Sequence, residues 1–199
     1  GNFTFCPTWL KLKKLPAILD YMPMKISVIG TGYVGLSTAL GFAQRGHSCI
    51  CVGRDAEKIE NLNKGMPPFY EEGIREALAD ALAKKLVWAT SDYDYAIKNS
   101  DITFICVGTP SMPDGKIDLG QVTAAAASIA RVIKGKGGYH VVCMKSTVLP
   151  GTTETIMKHI EHTSGKIAGR DFGIAMNPEF LRQGYALHDF LNPDRIVIG

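Results

Sequence analysis

The chain lacks several features that define whole classes of protein. Its 199 residues include no apolar run near the roughly 20 residues that cross a bilayer. The 22 lysines and arginines nearly balance 19 aspartates and glutamates, for a net charge of +3. We therefore expect neither a membrane nor a nucleic acid among its partners. A hydrophobic share of 46% is enough for a buried core, which excludes bulk disorder.

Cysteine is also scarce. The chain has 5 cysteines, an odd number, and none forms a C-x-x-C pair, which disfavours a zinc finger or a disulfide framework. Cys51, Cys106 and Cys143 lie in apolar, β-branched runs, where a thiol usually behaves as a small buried hydrophobic group. This usage predicts a reducing, cytoplasmic compartment.

Residues 1–23 differ in composition from the rest. They mix aromatic residues with three lysines and three prolines, in an order that does not match a secretory signal. A regular strand pattern begins only at Met24. We interpret 1–23 as a leader, a translated upstream region or a cloning remnant outside the fold, and 24–199 as one dinucleotide-binding domain.

From Met24 onward, short apolar runs alternate with helical patterns. Strands of about 5 residues that alternate with helices of about 10–15 indicate βαβ units, and hence a parallel sheet with helices on both faces. The predicted fold class is α/β, a doubly wound, mostly parallel, Rossmann-like sheet. The predicted strands are 26–29, 48–52, 86–89, 102–107, 139–144 and 172–175, and the predicted helices are 34–45, 56–63, 71–85, 92–99, 120–134 and 152–162.

A glycine-rich turn, Gly30-Thr-Gly-Tyr-Val-Gly35, joins the first strand to the first helix. It matches G-x-G-x-x-G in the strand–turn–helix context that the dinucleotide fingerprint requires. The first glycine permits the tight turn, the second lets a pyrophosphate approach, and the third lets helix and strand pack closely. The turn predicts a bound dinucleotide, and the alternative is a glycine turn without a ligand.

The end of the second strand lacks the carboxylate that usually binds the coenzyme ribose. Gly53 stands there, followed by Arg54 and Asp55. A guanidinium suits a 2′-phosphate, which it holds through two parallel hydrogen bonds, and Lys58 would add charge one helical turn later. The alternative is a solvated helix start with Asp55 as N-cap or displaced ribose ligand. The predicted coenzyme is NAD or NADP, with a slight preference for NADP.

Three further motifs follow successive strands: Val107-Gly-Thr-Pro110, Lys145-Ser-Thr-Val148 and Asn177-Pro-Glu-Phe-Leu-Arg-Gln183. Ligands of doubly wound sheets bind at the carboxyl ends of the strands, so we expect the motifs to share one site. The polar side chains that they would bring to it are those of Thr109, Ser146, Thr147 and Glu179.

In order and spacing, these motifs resemble the nucleotide-sugar 6-dehydrogenases of the UDP-glucose/GDP-mannose dehydrogenase family. The resemblance extends from Met24 to Gly199, and Pro178-Glu-Phe-Leu is more similar to the UDP-glucose branch than to the N-acetylmannosamine branch. It implies oxidation of the sugar C6 hydroxyl to a carboxylate in two hydride transfers, with UDP-glucose the favoured substrate. It also implies a homodimer or larger assembly for the full-length enzyme.

The same resemblance implies residue roles. Glu179 corresponds to a carboxylate in proton transfer and water activation, and Thr147 to a hydroxyl that orients water and coenzyme. Substrate contacts are implied for Glu179, Phe180, Leu181 and Arg182. Coenzyme contacts are implied for Gly30, Thr31, Gly32, Tyr33, Val34, Gly35, Val107, Gly108, Thr109, Pro110, Ser111, Ser146, Thr147, Val148 and Gln183, beside the Arg54 and Lys58 predicted from the second strand.

The chain departs from the family pattern at two positions. Gly53 replaces the ribose-binding Asp, and Gln183 replaces a Glu usually found four residues after Glu179, so Gln183 can position groups but not act as a base. The family's covalent step uses a Cys nucleophile, assisted by Lys and Asp, in a later domain. No cysteine here matches that motif, so we expect this chain to be the coenzyme domain and inactive alone.

Two other functions remain open from the sequence. One is an NADP-dependent dehydrogenase of hydroxy acids or of 6-phosphogluconate type, which would share the glycine turn. Such an enzyme is not expected to carry both Lys145-Ser-Thr and Pro178-Glu-Phe-Leu. The other is a non-catalytic NAD(P)-sensing Rossmann module, since the fold alone does not specify the function.

Overall fold

The computed structural model describes residues 22–199, so the predicted leader lies outside the described residues except for its last two positions. This part of the chain forms six strands and seven helices. In chain order they are β1 (Lys25–Ile29), α1 (Tyr33–Gln44), β2 (Ser48–Val52), α2 (Ala56–Asn63), α3 (Ile74–Ala83), β3 (Val87–Thr90), α4 (Tyr93–Lys98), β4 (Ile102–Ile105), α5 (Gly120–Gly135), β5 (His140–Met144), α6 (Thr152–Ser164), β6 (Phe172–Met176) and α7 (Ala186–Leu191).

All six strands pair in parallel, in the order β3-β2-β1-β4-β5-β6. The order reverses beside β1, which pairs with β2 on one side and with β4 on the other. A crevice for ligands opens at the carboxyl ends of the strands at such a reversal. The predicted doubly wound α/β fold is confirmed.

Apolar side chains cover both faces of the sheet. Leu36 and Leu40 of α1 and Leu78 of α3 are buried on one face, and Ile129 of α5 and Ile160 of α6 are buried on the other. Each side chain of this size contributes about 1.5–3 kcal/mol when fully buried. Within residues 22–199, no helix combines the length and apolarity that a membrane span needs.

The cysteines of the described chain behave as the sequence predicts. Cys49, Cys51, Cys106 and Cys143 are all buried and unbridged. Burial raises the pKa of the Cys51 thiol to about 12 and that of Cys106 to about 12. Since the thiolate is the nucleophilic form, these two thiols are inert packing groups.

Several element boundaries differ from the prediction by two or three residues, and one helix was not predicted. β4 ends at Ile105, not at 107, and the Cys106 carbonyl group that follows it lies close to Gly30. α3 begins at Ile74, not at 71, because Gly73 before it is left-handed (φ 78°). The six-residue α7 was not predicted at all. Its first two N–H groups, of Ala186 and Leu187, donate to the buried Glu71 carboxylate at 3.0 and 2.7 Å.

Candidate functional site

A groove of about 460 Å³ lies over the carboxyl ends of β1 and β2 and extends to the first turns of α5. This volume is within the range of about 300–1,000 Å³ that small-molecule and cofactor sites occupy. A larger recess, of about 680 Å³, is formed by the continuous segment 66–76 and shares no lining residue with the groove. The groove is lined by Ile29, Gly30, Thr31, Gly32, Val52, Gly53, Arg54, Asp55, Lys58, Tyr93, Cys106, Val107, Gly108, Gln121, Ala124, Ala125 and Ser128.

The glycine turn forms one wall of the groove. A Cβ on Gly30, whose φ is +118°, would lie 2.3 Å from the Cys106 carbonyl oxygen, and one on Gly35 would lie 2.0 Å from the Gly30 oxygen. At Gly32 no atom of the described residues, apart from its two chain neighbours, lies within 4 Å of that position. The chain itself therefore requires two of the glycines, whereas the third borders open space. No side chain of residues 22–199 caps α1, so the N–H groups of its first turn are available to an anion.

The end of β2 forms the opposite wall. Gly53 faces Thr31, whose Cγ2 lies 3.0 Å from the position a Cβ on Gly53 would take. The Arg54 guanidinium reaches across to α5, where it donates to Gln121 Oε1 at 3.4 Å. No carboxylate stands at the strand end, and a guanidinium lies beside the groove instead.

Asp55 starts α2 as its N-cap. Its carboxylate accepts the Lys58 N–H at 3.1 Å, so the N-cap interpretation of Asp55 is confirmed. The Lys58 ammonium lies 4.0 Å from the same carboxylate, in an exposed pair that holds it only weakly. Lys58 and Arg54 both line the groove.

The loops after β4 and β5 are joined directly. The Thr109 hydroxyl donates to the Thr147 carbonyl oxygen at 3.0 Å, and the buried Ser146 hydroxyl donates to the Val107 oxygen at 2.7 Å. These bonds engage the donor hydrogens of Thr109 and Ser146, whereas Thr147 itself is exposed. The two predicted motifs therefore lie side by side.

The loop after β6 joins the same edge through Lys145 and Asn177. The Asn177 N–H donates to the Met144 oxygen at 2.8 Å, and Lys145 Nζ donates to Asn177 Oδ1 at 3.1 Å. The Asn177 amide group in turn donates to the Val197 oxygen at 2.8 Å. One side chain thus links the ends of β5 and β6 to the segment that follows α7.

Glu179 lies on this loop, partly buried. Its carboxylate accepts the Leu181 N–H at 2.5 Å, which holds it in one orientation. Burial raises the pKa of Tyr33, in the glycine turn, and the nearby negative charge of Glu179 raises it further. Glu179 therefore lies close to the start of α1.

Three predicted residues of the same loop point to other partners or to the surface. The Arg182 guanidinium donates to the Asp189 carboxylate at 2.7 Å and lies over the Tyr185 ring. Phe180 is exposed and lies under the Arg195 guanidinium, 4.3 Å from ring centroid to Cζ. Gln183 is exposed as well. Within the loop 177–183, Asn177 bonds Lys145, and the charge of Glu179 acts on Tyr33 and Lys145.

Sequence reasoning missed several residues of this edge. Gln121 and Tyr93 line the groove, but they come from helix starts that carry no ligand motif. Lys145 and Asn177 each begin one of the strand-end motifs, but the sequence assigned neither residue a role. Their one available signal was position, because each directly follows a strand.

Residues 24–199 match the family model described as "UDP-glucose/GDP-mannose dehydrogenase family, NAD binding domain". A UDP-glucose 6-dehydrogenase of Haloferax volcanii is 46% identical over 177 residues, which are 88% of this chain and 41% of that protein.

Two solved structures have the same fold. One is a ternary complex of GDP-mannose dehydrogenase from Pseudomonas aeruginosa, with a TM-score of 0.87 and 41% identity over 88% of this chain and 41% of that one. The other is a UDP-glucose dehydrogenase from Pyrobaculum islandicum, with a TM-score of 0.86 and 43% identity over 91% of this chain and 41% of that one. The chain spans about two fifths of the length of these relatives.

Proposed function

The chain belongs to the UDP-glucose/GDP-mannose dehydrogenase family as its NAD-binding domain, and on that premise we propose that it serves a nucleotide-sugar 6-dehydrogenase with UDP-glucose as the favoured substrate. One observation carries the proposal. The three strand-end motifs are joined by the Thr109–Thr147 and Lys145–Asn177 bonds, and the glycine turn lies against Cys106 at the end of β4. An NAD(P)-sensing module would need the glycine turn but not the other motifs.

The residues present fit a dinucleotide coenzyme. The space over Gly32 is open, and the uncapped start of α1 offers N–H groups to a pyrophosphate. When bound, a nicotinamide coenzyme supplies the acceptor for the hydride that leaves the sugar C6 carbon. We assign the coenzyme contacts to the turn 30–35 and to the ends of β4 and β5.

Glu179 is the group we assign to proton transfer. Its carboxylate is partly buried and is held by the Leu181 N–H at 2.5 Å, so that it stays in one place while a proton is accepted or a water is activated. Thr147 presents its exposed hydroxyl on the neighbouring loop and would orient that water. Both assignments follow the family resemblance, and the placement on adjacent loops supports them.

The covalent step needs a nucleophile from outside residues 22–199. The four described cysteines are buried, and burial raises the pKa of Cys143 to about 11, although the Lys145 charge opposes this. A buried, protonated thiol is a poor nucleophile. The full-length enzyme would supply the nucleophile.

The scarcity of cysteine and the burial of the four described thiols support a cytoplasmic location for the enzyme.

For the coenzyme, we propose that this chain accepts NADP as well as the NAD of its family. Gly53 leaves the strand end without a carboxylate, Asp55 is engaged as an N-cap, and the Arg54 guanidinium lies at the groove. A ribose 2′-phosphate next to Arg54 and Lys58 would meet two positive charges against the single negative charge of Asp55, which also lines the groove.

The test is an assay of the full-length enzyme with UDP-glucose, GDP-mannose and UDP-N-acetylmannosamine, each with NAD and with NADP. We expect the highest kcat/KM with UDP-glucose, two coenzymes reduced per uronate, and comparable use of both coenzymes. Size-exclusion chromatography of the same protein is expected to show a homodimer or larger assembly. Oxidation of none of the three sugars would overturn the function, and a strong preference for NAD would overturn only the coenzyme proposal.

A further inference from the structure

Lys145 is the most deeply buried lysine of the described chain, with 6% of its surface exposed. It stands at the carboxyl end of β5, directly before Ser146 and Thr147. Transfer of an ammonium group out of water is costly unless the surroundings compensate it. A buried lysine at this position is therefore expected to have a specific structural or functional role.

The surroundings compensate the charge only in part. An ammonium group has three donor hydrogens, and among the described residues Lys145 Nζ has one hydrogen-bond acceptor, Asn177 Oδ1 at 3.1 Å. On the side of α7 it meets the face of the Phe190 ring, 5.8 Å from the centroid. Within residues 22–199, the one carboxylate that acts on its charge is that of Glu179.

Phe190 cannot easily move away from this place. Its ring lies so close to α1 that a Cβ on Gly41 would be 2.0 Å from Phe190 Cδ1, and the Phe42 ring contacts it edge-on at 5.1 Å. The ammonium of Lys145 is thus bounded by a fixed aromatic ring on one side and by the 177–183 loop on the other.

We propose that Lys145 is a positioning residue: its ammonium group holds Asn177 and attracts the Glu179 carboxylate, and so fixes the 177–183 loop against the coenzyme edge of the sheet. The inference rests on the proposed function and extends it, because it names the group that keeps Glu179 in place. Lys145 has no direct part in the reaction itself.

The proposed role of Lys145 predicts a characteristic pH dependence of kcat. Burial lowers the pKa of Lys145 below the usual value for lysine, and the nearby Cys106, Cys143 and Glu179 oppose that shift. In the described part of the chain, those three are the titratable groups that act on the ammonium, and from α7 the neutral Phe190 ring lies against it. As the pH rises, Lys145 loses its charge earlier than a surface lysine, and the hold on the loop is lost with it.

The experiment compares Lys145→Met, Lys145→Arg and the control Lys136→Met in the full-length enzyme. We expect Lys145→Met to lower kcat by about 10²-fold, the cost typical of a misplaced catalytic group, with the KM for the coenzyme little changed. Arginine stays charged at all accessible pH values, so Lys145→Arg should move the alkaline fall in kcat to higher pH. Lys136 lies at the other end of the sheet, and Lys136→Met should leave kcat and its pH profile as in the wild type.

A second readout does not depend on activity. The Leu181 N–H donates to Glu179, so its hydrogen exchange reports how firmly the loop is held. We expect about tenfold faster exchange in Lys145→Met and wild-type exchange in Lys136→Met. The inference would be overturned if the Leu181 N–H exchanged at the wild-type rate in a folded Lys145→Met protein. It would also be overturned if kcat of Lys145→Arg fell at the same alkaline pH as that of the wild type.

The two proposals fail in distinguishable ways. If the wild-type enzyme oxidises no nucleotide sugar, the proposed function fails and hydrogen exchange alone decides the role of Lys145. If the wild type is active and Lys145→Met keeps its kcat, only the positioning role fails. If Lys145→Met does not fold, the pH at which kcat of Lys145→Arg falls on the alkaline side decides the positioning role.

Discussion

Each end of the sheet has a lysine that is at least partly buried, and the two lysines differ in the number of hydrogen bonds that their ammonium groups make. At the amino end, Lys136 donates to the Ile97 oxygen at 2.9 Å, to the His140 Nδ1 at 2.8 Å and to the Ser100 oxygen. At the carboxyl end, Lys145 has a single hydrogen-bond acceptor, on Asn177, among the described residues. One cation is fully satisfied, and the other retains unused donors.

The other groups at the two ends differ in the same way, with satisfied hydrogen bonds at the amino end and open donors at the carboxyl end. From His140 a chain of hydrogen bonds runs through Thr103 (2.8 Å) and Ser27 (2.7 Å) to Ser100 (3.0 Å), all buried. The carboxyl end has an open groove, an uncapped helix and glycines in place of side chains. Satisfied networks stabilise a unique structure, whereas open donors are available to a ligand. We therefore assign a stabilising role to the amino end and, under the proposed function, ligand binding to the carboxyl end.

The strongest way to test this division is to change Glu179. We expect Glu179→Gln in the full-length enzyme to lower kcat by about 10²–10⁴-fold, the usual contribution of a general acid or base. The amide keeps an acceptor oxygen for the Leu181 N–H, so thermal unfolding should be unchanged. Steady-state kinetics and calorimetry measure the two effects, with the exposed Glu76→Gln as control. A kcat within twofold of wild type would remove Glu179 from the chemistry.

At the amino end, the corresponding expectation is a pH-dependent stability. Burial and then the Lys136 charge lower the pKa of His140 from 6.5 to about 4. Between these values the unfolded chain binds a proton that the folded chain does not, so stability falls as the pH falls from 6.5 to 4. At about 1.4 kcal/mol per unit, the loss approaches about 3 kcal/mol. Urea unfolding at several pH values measures it, and a wild-type slope retained in His140→Gln would contradict this origin.

A smaller loss is expected from breaking the network at Thr103. Valine keeps the shape of threonine but leaves Ser27 and His140 without this hydroxyl, and an unsatisfied buried polar group costs about 1–3 kcal/mol. We expect Thr103→Val to lower the free energy of unfolding by that amount without changing the dissociation constant for the coenzyme. The exposed Thr155→Val is the control, with an effect below about 0.5 kcal/mol. Equal losses in the two variants would mean that the network adds no stability.

The smallest effect should come from Arg54. If it binds a 2′-phosphate, Arg54→Ala should weaken NADP binding by about tenfold, the equivalent of about 1.4 kcal/mol, and should change NAD binding by less than twofold. Isothermal titration with each coenzyme measures the difference. Equal weakening for both coenzymes would show that Arg54 has no role in the choice between them.

Within residues 22–199, the sequence predicted all six strands and six of the seven helices to within a few residues, for a physical reason. Parallel strands are buried on both faces and appear as short apolar runs, as in β2 (Ser48–Val52). α7 escaped prediction because distant contacts hold it: its N–H groups donate to Glu71, 115 and 116 residues away in the sequence, and Phe190 packs against Gly41. No local pattern encodes such support.

The site was predictable where its chemistry depends on the backbone. The glycine turn must contain Gly30 and Gly35 for steric reasons, so the motif and its geometry agree. The assigned roles of Glu179 and Thr147 stay predictions. Lys145 was not predicted, since a lysine beside a serine and a threonine looks like a solvated turn, and its burial arises only when α7 and the 177–183 loop cover it.

The bond between Ser27 and Thr103 also has a kinetic consequence. It joins hydroxyls 76 residues apart in the sequence, on the two central strands, β1 and β4. Formed alone, the half with β1 would leave Ser27 without its partners Thr103 and Ser100. The half with β4 would keep the bond of Thr103 to His140 but lose the one to Ser27. Contacts of such sequence separation are formed late and slow the search for the native state. The sheet should therefore appear in one cooperative step, with neither βαβ half persisting as a stable intermediate.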